Sequence, residues 1–260
     1  MMNFLKKCRF LNGNAVKILA AVFMVIDHVG LLFFPENLIW RYIGRISMPL
    51  FAFMIAEGCR YTKNRARYFF FLFGLGTAFQ VVYYIFTKDT YLNILLTFSL
   101  SVLMIFALQE MKTQLFKGGK DWGIKIASVL LFVSSVAFVW GICETGAQTK
   151  FYTVDYGFWG CLLPLFASVL DFYRIPFSDK TDFIKKADML ILRVLCFGLG
   201  ILLFHLNSVN PTLTKYMFLA LPFLLFYNGT RGKWKLKYFF YIFYPAHLVL
   251  LQGLAMFLLS

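Results

Sequence analysis

Long apolar runs separated by short basic segments dominate the chain. Val16 to Phe34 and Leu236 to Leu259 are two such runs, and neither alternates polar with apolar positions. A strand with one face to lipid shows that alternation, so a closed barrel does not fit and helices do. A membrane-crossing helix needs about 20 residues, within a range of roughly 17 to 25. On that measure the pattern predicts nine spans, 14–34, 39–59, 67–86, 91–111, 124–142, 156–171, 187–206, 213–227 and 236–258. The spans 156–171 and 213–227 are short and carry Pro164 and Pro222, so each is a candidate for a broken or tilted helix. Loops are short, and no linker, low-complexity segment or repeat stands out. An all-α, polytopic integral membrane protein forming one domain over 1–260 is the expectation.

Charge orients the spans. Basic residues cluster at Lys6, Lys7 and Arg9, at Arg60, Lys63, Arg65 and Arg67, and at Lys112, Lys117 and Lys120. They cluster again at Arg174, Lys180, Lys185 and Lys186, and at Arg231, Lys233 and Lys235. The intervening loops hold little beyond Lys88 and Lys150. Every second loop is therefore basic, which predicts a cytoplasmic N-terminus and an extracytoplasmic C-terminus in the plasma membrane.

Composition supports the same reading, since 60% of the residues are hydrophobic and 15% charged, more apolar surface than a soluble domain can hide. The net charge of +14 is topological in origin, so no nucleic-acid partner is expected. The five cysteines, Cys8, Cys59, Cys143, Cys161 and Cys196, show neither CxxC spacing nor a metal pattern, so no disulfide framework and no metal are expected. The basic start followed by an apolar stretch is similar to a signal peptide. The stretch is long, contains Asp27-His28 and has no evident cleavage site, so a retained first helix is expected.

A charge in the bilayer core costs at least about 2.5–3.5 kcal/mol, so polar residues inside spans are functional candidates. Asp27 and His28 lie in the first span, His28 about 18 Å from its inner end. Arg45 lies in the outer half of the second span, about 9 Å from its outer end and at the depth of His28. Asp27 and His28 are adjacent and point about 100° apart, so Asp27 is expected to meet Arg45 or a distant helix. His247 falls near the middle of the ninth span, where Pro245 loosens the helix. Glu57 near Arg60 suggests a local ion pair, and His205 sits at the outer end of its span. A histidine can move a proton near neutral pH, a carboxylate can orient it, and an arginine can hold an anionic or carbonyl group. The set suits acyl transfer from a thioester to a hydroxyl or amine. A buried network that only fixes helix packing is the plain alternative. Spacing alone leaves channel, transporter and enzyme open, although no matched pair of broken spans suggests an inverted-repeat transporter.

Five stretches carry a family resemblance. They are Leu19 to Gly30 with Asp27-His28, Arg41 to Phe53 with Gly44-Arg45 and Pro49-Leu50-Phe51, and Asp155-Tyr156-Gly157 to Gly160. The others are Leu221-Pro222 to Lys233 with Tyr227-Asn228-Gly229, and Tyr238 to His247 with Tyr244-Pro245. Together they resemble the TraX family, in order and over nearly the whole chain. That family is named for a conjugation protein implicated in N-terminal acetylation of pilin. It is similar to the wider superfamily of transmembrane acyltransferases, which take acetyl-CoA from the cytosol and pass the acyl group to an acceptor at or beyond the far side. The resemblance implies His28 as general base, Asp27 as its electrostatic support and Arg45 as a binding or stabilising residue. It implies a donor or acceptor pocket drawn from Arg41, Asp155, Tyr244 and His247.

Acetyl-CoA is then the expected co-substrate, with a surface protein, glycan or lipid as acceptor. Arg60, Lys63, Asn228, Arg231 and Lys233 lie on the cytosolic side and are candidates for its phosphates, ordinary topology charges being the alternative. Asn228-Gly229 is expected to form a tight turn offering backbone N–H groups. Ser47 and Cys59 have no evident neighbouring base, so direct transfer is simpler than a covalent intermediate. A proton-coupled transporter or flippase using the same Asp, His and Arg is the competing function, and a non-catalytic membrane scaffold is the third.

Overall fold

Asparagine side chains start three of the long helices, because a short amide accepts from backbone N–H groups that the first turn leaves unpaired. The computed structural model describes residues 9–117, 121–175, 184, 189–234 and 236–259. Of the residues named above, Lys6, Lys7, Cys8, Lys120, Lys180, Lys185, Lys186 and Lys235 lie outside the described residues. In chain order the helices are α1 (Gly13–Phe33), α2 (Ile39–Gly44), α3 (Ser47–Tyr61), α4 (Arg65–Thr87), α5 (Ile94–Phe116) and α6 (Trp122–Thr149). There follow α7 (Gly157–Val169), α8 (Leu190–Leu206), α9 (Pro211–Thr214), a 3-10 turn (Lys215–Leu219), α10 (Ala220–Leu225) and α11 (Lys237–Leu259). Asn12 caps α1 by accepting from the Ala15 N–H at 3.0 Å, and Asn64 and Asn93 do the same for α4 and α5. Lys88 and Lys150 close α4 and α6 in the left-handed conformation, with φ of 58° and 55°.

Among the described residues, four helices, α1, α4, α5 and α6, are long and apolar enough to cross a membrane. Shorter apolar helices accompany them. The protein is a nearly all-helical membrane protein. The chain divides into two compact units, one built from the residues up to Met54 and from Ile201 onward, the other from Ile55–Gly200.

In the first unit, glycine sets how closely α2 approaches α1. A Cβ on Gly44 would stand 2.3 Å from the Asp27 Cβ, and one on Gly30 would stand 2.3 Å from the Trp40 Cβ. Small residues at a helix contact permit such approach. Ser47 ties the start of α3 to α1 by donating to the Ala20 carbonyl at 2.8 Å. Ahead of α1, Leu11 pairs with Tyr227, and the N–H groups of Gly13 and Asn14 donate to the carbonyls of Thr230 and Arg231 at 2.7 and 3.1 Å.

In the second unit, α5 supplies buried Phe98, Val102, Met104 and Ile105. Ser101 on α5 donates to the Cys161 carbonyl of α7 at 2.7 Å. The two-residue strands β1 (Tyr91–Leu92) and β2 (Thr153–Val154) pair in parallel, Tyr91 opposite Thr153 and Leu92 opposite Val154.

The observed elements depart from the predicted spans in several places. The span expected over 39–59 is two helices, interrupted at Arg45 and Ile46. Pro49 has no N–H to give the Arg45 carbonyl, so the helical ladder cannot run through that position. The span 213–227 is broken, as its proline suggested, into α9, the 3-10 turn and α10, whereas 156–171 holds one continuous helix with Pro164 inside it. The fourth span starts at Ile94 and not at 91, because Tyr91 and Leu92 are strand.

Several charges that the sequence places in loops prove to be interior ties of the second unit. Lys112 is 7% exposed, and its ammonium donates to the carbonyls of Ser168, Val169 and Asp171 at 2.6, 2.6 and 3.0 Å. A cation at the carbonyl end of α7 opposes its dipole. Arg60 pairs with Asp171 at 2.7 Å, and Arg174 donates to the carbonyls of Cys59 and Thr62. Glu57, expected beside Arg60, forms a buried ion pair with Arg193 at 2.7 Å.

Candidate functional site

The polar residues of the first unit converge where α1 meets α2 and α11. Asp27 is buried, and one oxygen of its carboxylate accepts from Arg41 at 3.0 Å and from Arg45 at 2.9 Å. Arg41 also donates to the Asp27 backbone carbonyl at 3.3 Å. Both arginines belong to the segment that breaks at Arg45–Ile46, and Gly44 between them lets that segment lie against the Asp27 backbone. The other carboxylate oxygen has no hydrogen-bond partner among the described residues. Two guanidiniums share one carboxylate oxygen.

His28 follows Asp27 but turns away from it. Its Nδ1 stands 2.8 Å from the Met24 carbonyl. A carbonyl only accepts, so Nδ1 carries the proton and Nε2 presents a lone pair. The ring is therefore oriented by the backbone of its own helix, while Asp27 serves the arginines.

His247, from α11, meets His28. Their ring centroids are 5.0 Å apart at an interplanar angle of 77°. Its Nδ1 stands 3.0 Å from the Phe243 carbonyl, so it too is protonated at Nδ1 and bare at Nε2. His247 is only 5% exposed, and its Nε2 has no hydrogen-bond partner among the described residues. Leaving such a group unsatisfied costs about 1–3 kcal/mol. Phe243 stacks on the ring at 5.2 Å, and Tyr244 lies tilted at 5.8 Å. The helix continues through Pro245.

The remaining candidates fall in three places. Asn228, Arg231 and Lys233 belong to the turn after α10, where a cavity of about 700 Å³ opens beside Asn12, Asn14 and Trp234. Arg231 and Lys233 line it and are exposed. The expected turn is present, with Gly229 at φ 78°. Two of its N–H groups are engaged. Asn228 donates to the Leu11 carbonyl at 2.8 Å, and Thr230 donates to the Asn228 side chain at 2.9 Å.

Asp155 belongs to the second unit, where it accepts from the Tyr91 hydroxyl at 2.7 Å. Burial, and after it the Asp155 carboxylate, raise the Tyr91 phenol well above its ordinary value. Arg60 is buried in its pair with Asp171, and Lys63 is exposed. His205 bonds Thr214 at 2.9 Å. Among the described residues no group of three or more His, Cys, Asp or Glu is placed to hold a metal ion.

The family model described as TraX protein matches residues 12–255. A Dichelobacter nodosus protein named "Probable fimbrial assembly protein FimC, serogroup H1" is 28% identical over 261 residues, covering 94% of this chain and 95% of that protein. An uncharacterized protein of Rickettsia prowazekii (strain Madrid E) is 34% identical over 107 residues, 41% of each chain. No solved structure matches.

Proposed function

The chain belongs to the TraX family, and we propose that it is a membrane-embedded acyltransferase that moves an acetyl group from cytosolic acetyl-CoA to an acceptor amine or hydroxyl outside the cytosol. The observation that carries this reading is His28, whose Nδ1 proton is pinned on the Met24 carbonyl and whose Nε2 is left as a base beside the Arg41–Asp27–Arg45 cluster. In the reaction, Nε2 takes the proton of the acceptor, the acceptor atom bonds the acetyl carbonyl carbon, and the carbon–sulfur bond breaks to release the thiol. Negative charge builds on the carbonyl oxygen, where the two nearby guanidiniums lower the barrier.

The nine-span topology, N-terminus inside and C-terminus outside, belongs to the same proposal, as does the plasma membrane. It puts the turn bearing Arg231 and Lys233 on the cytosolic side, where exposed cations can take the CoA phosphates. His28 lies about 18 Å along α1 from Val16, so the pantetheine arm runs into the protein toward the arginines. The Dichelobacter relative's name points to fimbrial assembly, so a fimbrial subunit leads the acceptor classes, ahead of a surface glycan or a lipid.

One observation favours a second reading. Both α2–α3 and α9–α10 are interrupted helices, and interrupted helices around buried charges are how transporters build substrate sites. That arrangement would make Asp27, His28 and Arg45 a proton or substrate relay. The experiment that separates the two is binding and cleavage of radiolabelled acetyl-CoA by purified protein in lipid. Acetyltransfer expects wild type to bind and slowly cleave it, and His28→Ala to bind without cleaving. If wild type neither binds nor cleaves acetyl-CoA or longer acyl-CoAs, the donor assignment is abandoned, and proton-coupled uptake into vesicles becomes the next assay.

A further inference from the structure

Both imidazoles of the first unit are held at Nδ1 by the carbonyl one turn earlier, His28 by Met24 and His247 by Phe243. Neither ring can turn over without giving up that bond. Acetyl transfer needs a proton removed from the acceptor and delivered to the departing sulfur. His247 is in ring contact with His28, and its bare Nε2 is buried with no partner among the described residues.

We propose that His247 is a second catalytic residue, the ring through which the acceptor's proton reaches the departing thiolate. This rests on the acetyltransfer reading. His28 Nε2 takes the proton from the acceptor oxygen or nitrogen as that atom bonds the acetyl carbon. The carbon–sulfur bond breaks, and its electron pair stays on sulfur. The proton passes from His28 Nε2 to His247 Nε2 and from there to the thiolate. Both rings end neutral, as they began, and no further reactant is needed. Asp27, Arg41 and Arg45 are the charged groups around His28, and Phe243 and Tyr244 close the ring of His247.

The test uses the full chain in lipid nanodiscs, with radiolabelled acetyl-CoA turnover and acetyl-CoA binding measured side by side. His247→Asn is expected to lower kcat about 100-fold, the scale of a lost acid–base group, with the Kd for acetyl-CoA within about twofold. The double variant His28→Asn/His247→Asn is expected to be no slower than the slower single one, because the two rings serve one proton path. His247→Phe keeps a stacked ring without a nitrogen, so a role in packing predicts that it stays active, whereas the relay predicts that it does not. Added imidazole is expected to restore part of the turnover of His247→Ala. Near-wild-type kcat in His247→Asn or His247→Phe overturns the relay alone, as do multiplicative losses in the double variant. A wild type that does not bind or cleave acetyl-CoA overturns the acetyltransfer reading and the relay with it.

Discussion

Replacing Gly44 with alanine adds one methyl group where the structure has no room for it. The new Cβ would stand 2.3 Å from the Asp27 Cβ, 2.5 Å from its Cα and 2.5 Å from Oδ1. Ordinary contact begins at 3.4 Å, so α2 must withdraw from α1 by about 1 Å. The obstacle includes backbone, which no rotamer change removes. Overpacking of this kind costs about 1–3 kcal/mol. The same shift carries Arg41 and Arg45 away from Asp27, and a displacement of about 1 Å at a reacting site can cost about 100-fold in rate. Gly44→Ala is therefore expected to lower both the unfolding temperature in detergent and the acetyl-CoA turnover, with kcat losing more than acetyl-CoA affinity. Gly141→Ala is the control, since a Cβ there meets nothing within 4 Å, and alanine is favoured over glycine in a helix by about 1 kcal/mol. It is expected to be neutral or slightly stabilising. If Gly44→Ala matches Gly141→Ala in both stability and turnover, the close approach of α2 to α1 does not organise the site.

Two further outcomes follow from the charges. Asp27→Asn takes from two partly buried guanidiniums the carboxylate they share, a loss of up to about 3–5 kcal/mol, and thermal unfolding should show it. Adding Arg45→Gln to Asp27→Asn should recover part of that loss, and a strictly additive double variant would deny the pairing. Arg231→Ala with Lys233→Ala should raise the KM for acetyl-CoA several-fold at unchanged kcat, an effect that shrinks as salt rises. An unchanged KM at low salt removes the phosphates from this cavity.

Much of the site is legible in the amino-acid sequence. Helix rise puts His28 and Arg45 at one depth, and adjacency turns Asp27 away from His28, which leaves Arg45 or a distant helix as the expected partner of Asp27. The Arg45 contact is present, and Arg41 joins it. Depth does not reveal that His247 is the neighbour of His28, since any helix with a histidine at that level is an equal candidate. Nor does it say what orients His28; the answer, a carbonyl four residues back, lies within α1 and favours neither a carboxylate nor a partner helix.

The sequence by itself determined that the protein is helical and membrane-bound, because long apolar runs without alternation have only one way to satisfy their backbone in lipid. It also placed the proline-broken segment before α11. Only the tertiary structure decided which charges are topological and which are interior. Lys112, Arg60 and Arg174 read as loop charges in sequence, yet each is consumed by carbonyls or a carboxylate. Only the structure showed the break at Arg45–Ile46, at the end of the segment whose two arginines reach Asp27. The reason is geometric. Hydropathy and charge fix each residue's position along the membrane normal, whereas contacts between helices depend on azimuth and neighbour order, and those are settled by packing between residues as far apart as His28 and His247.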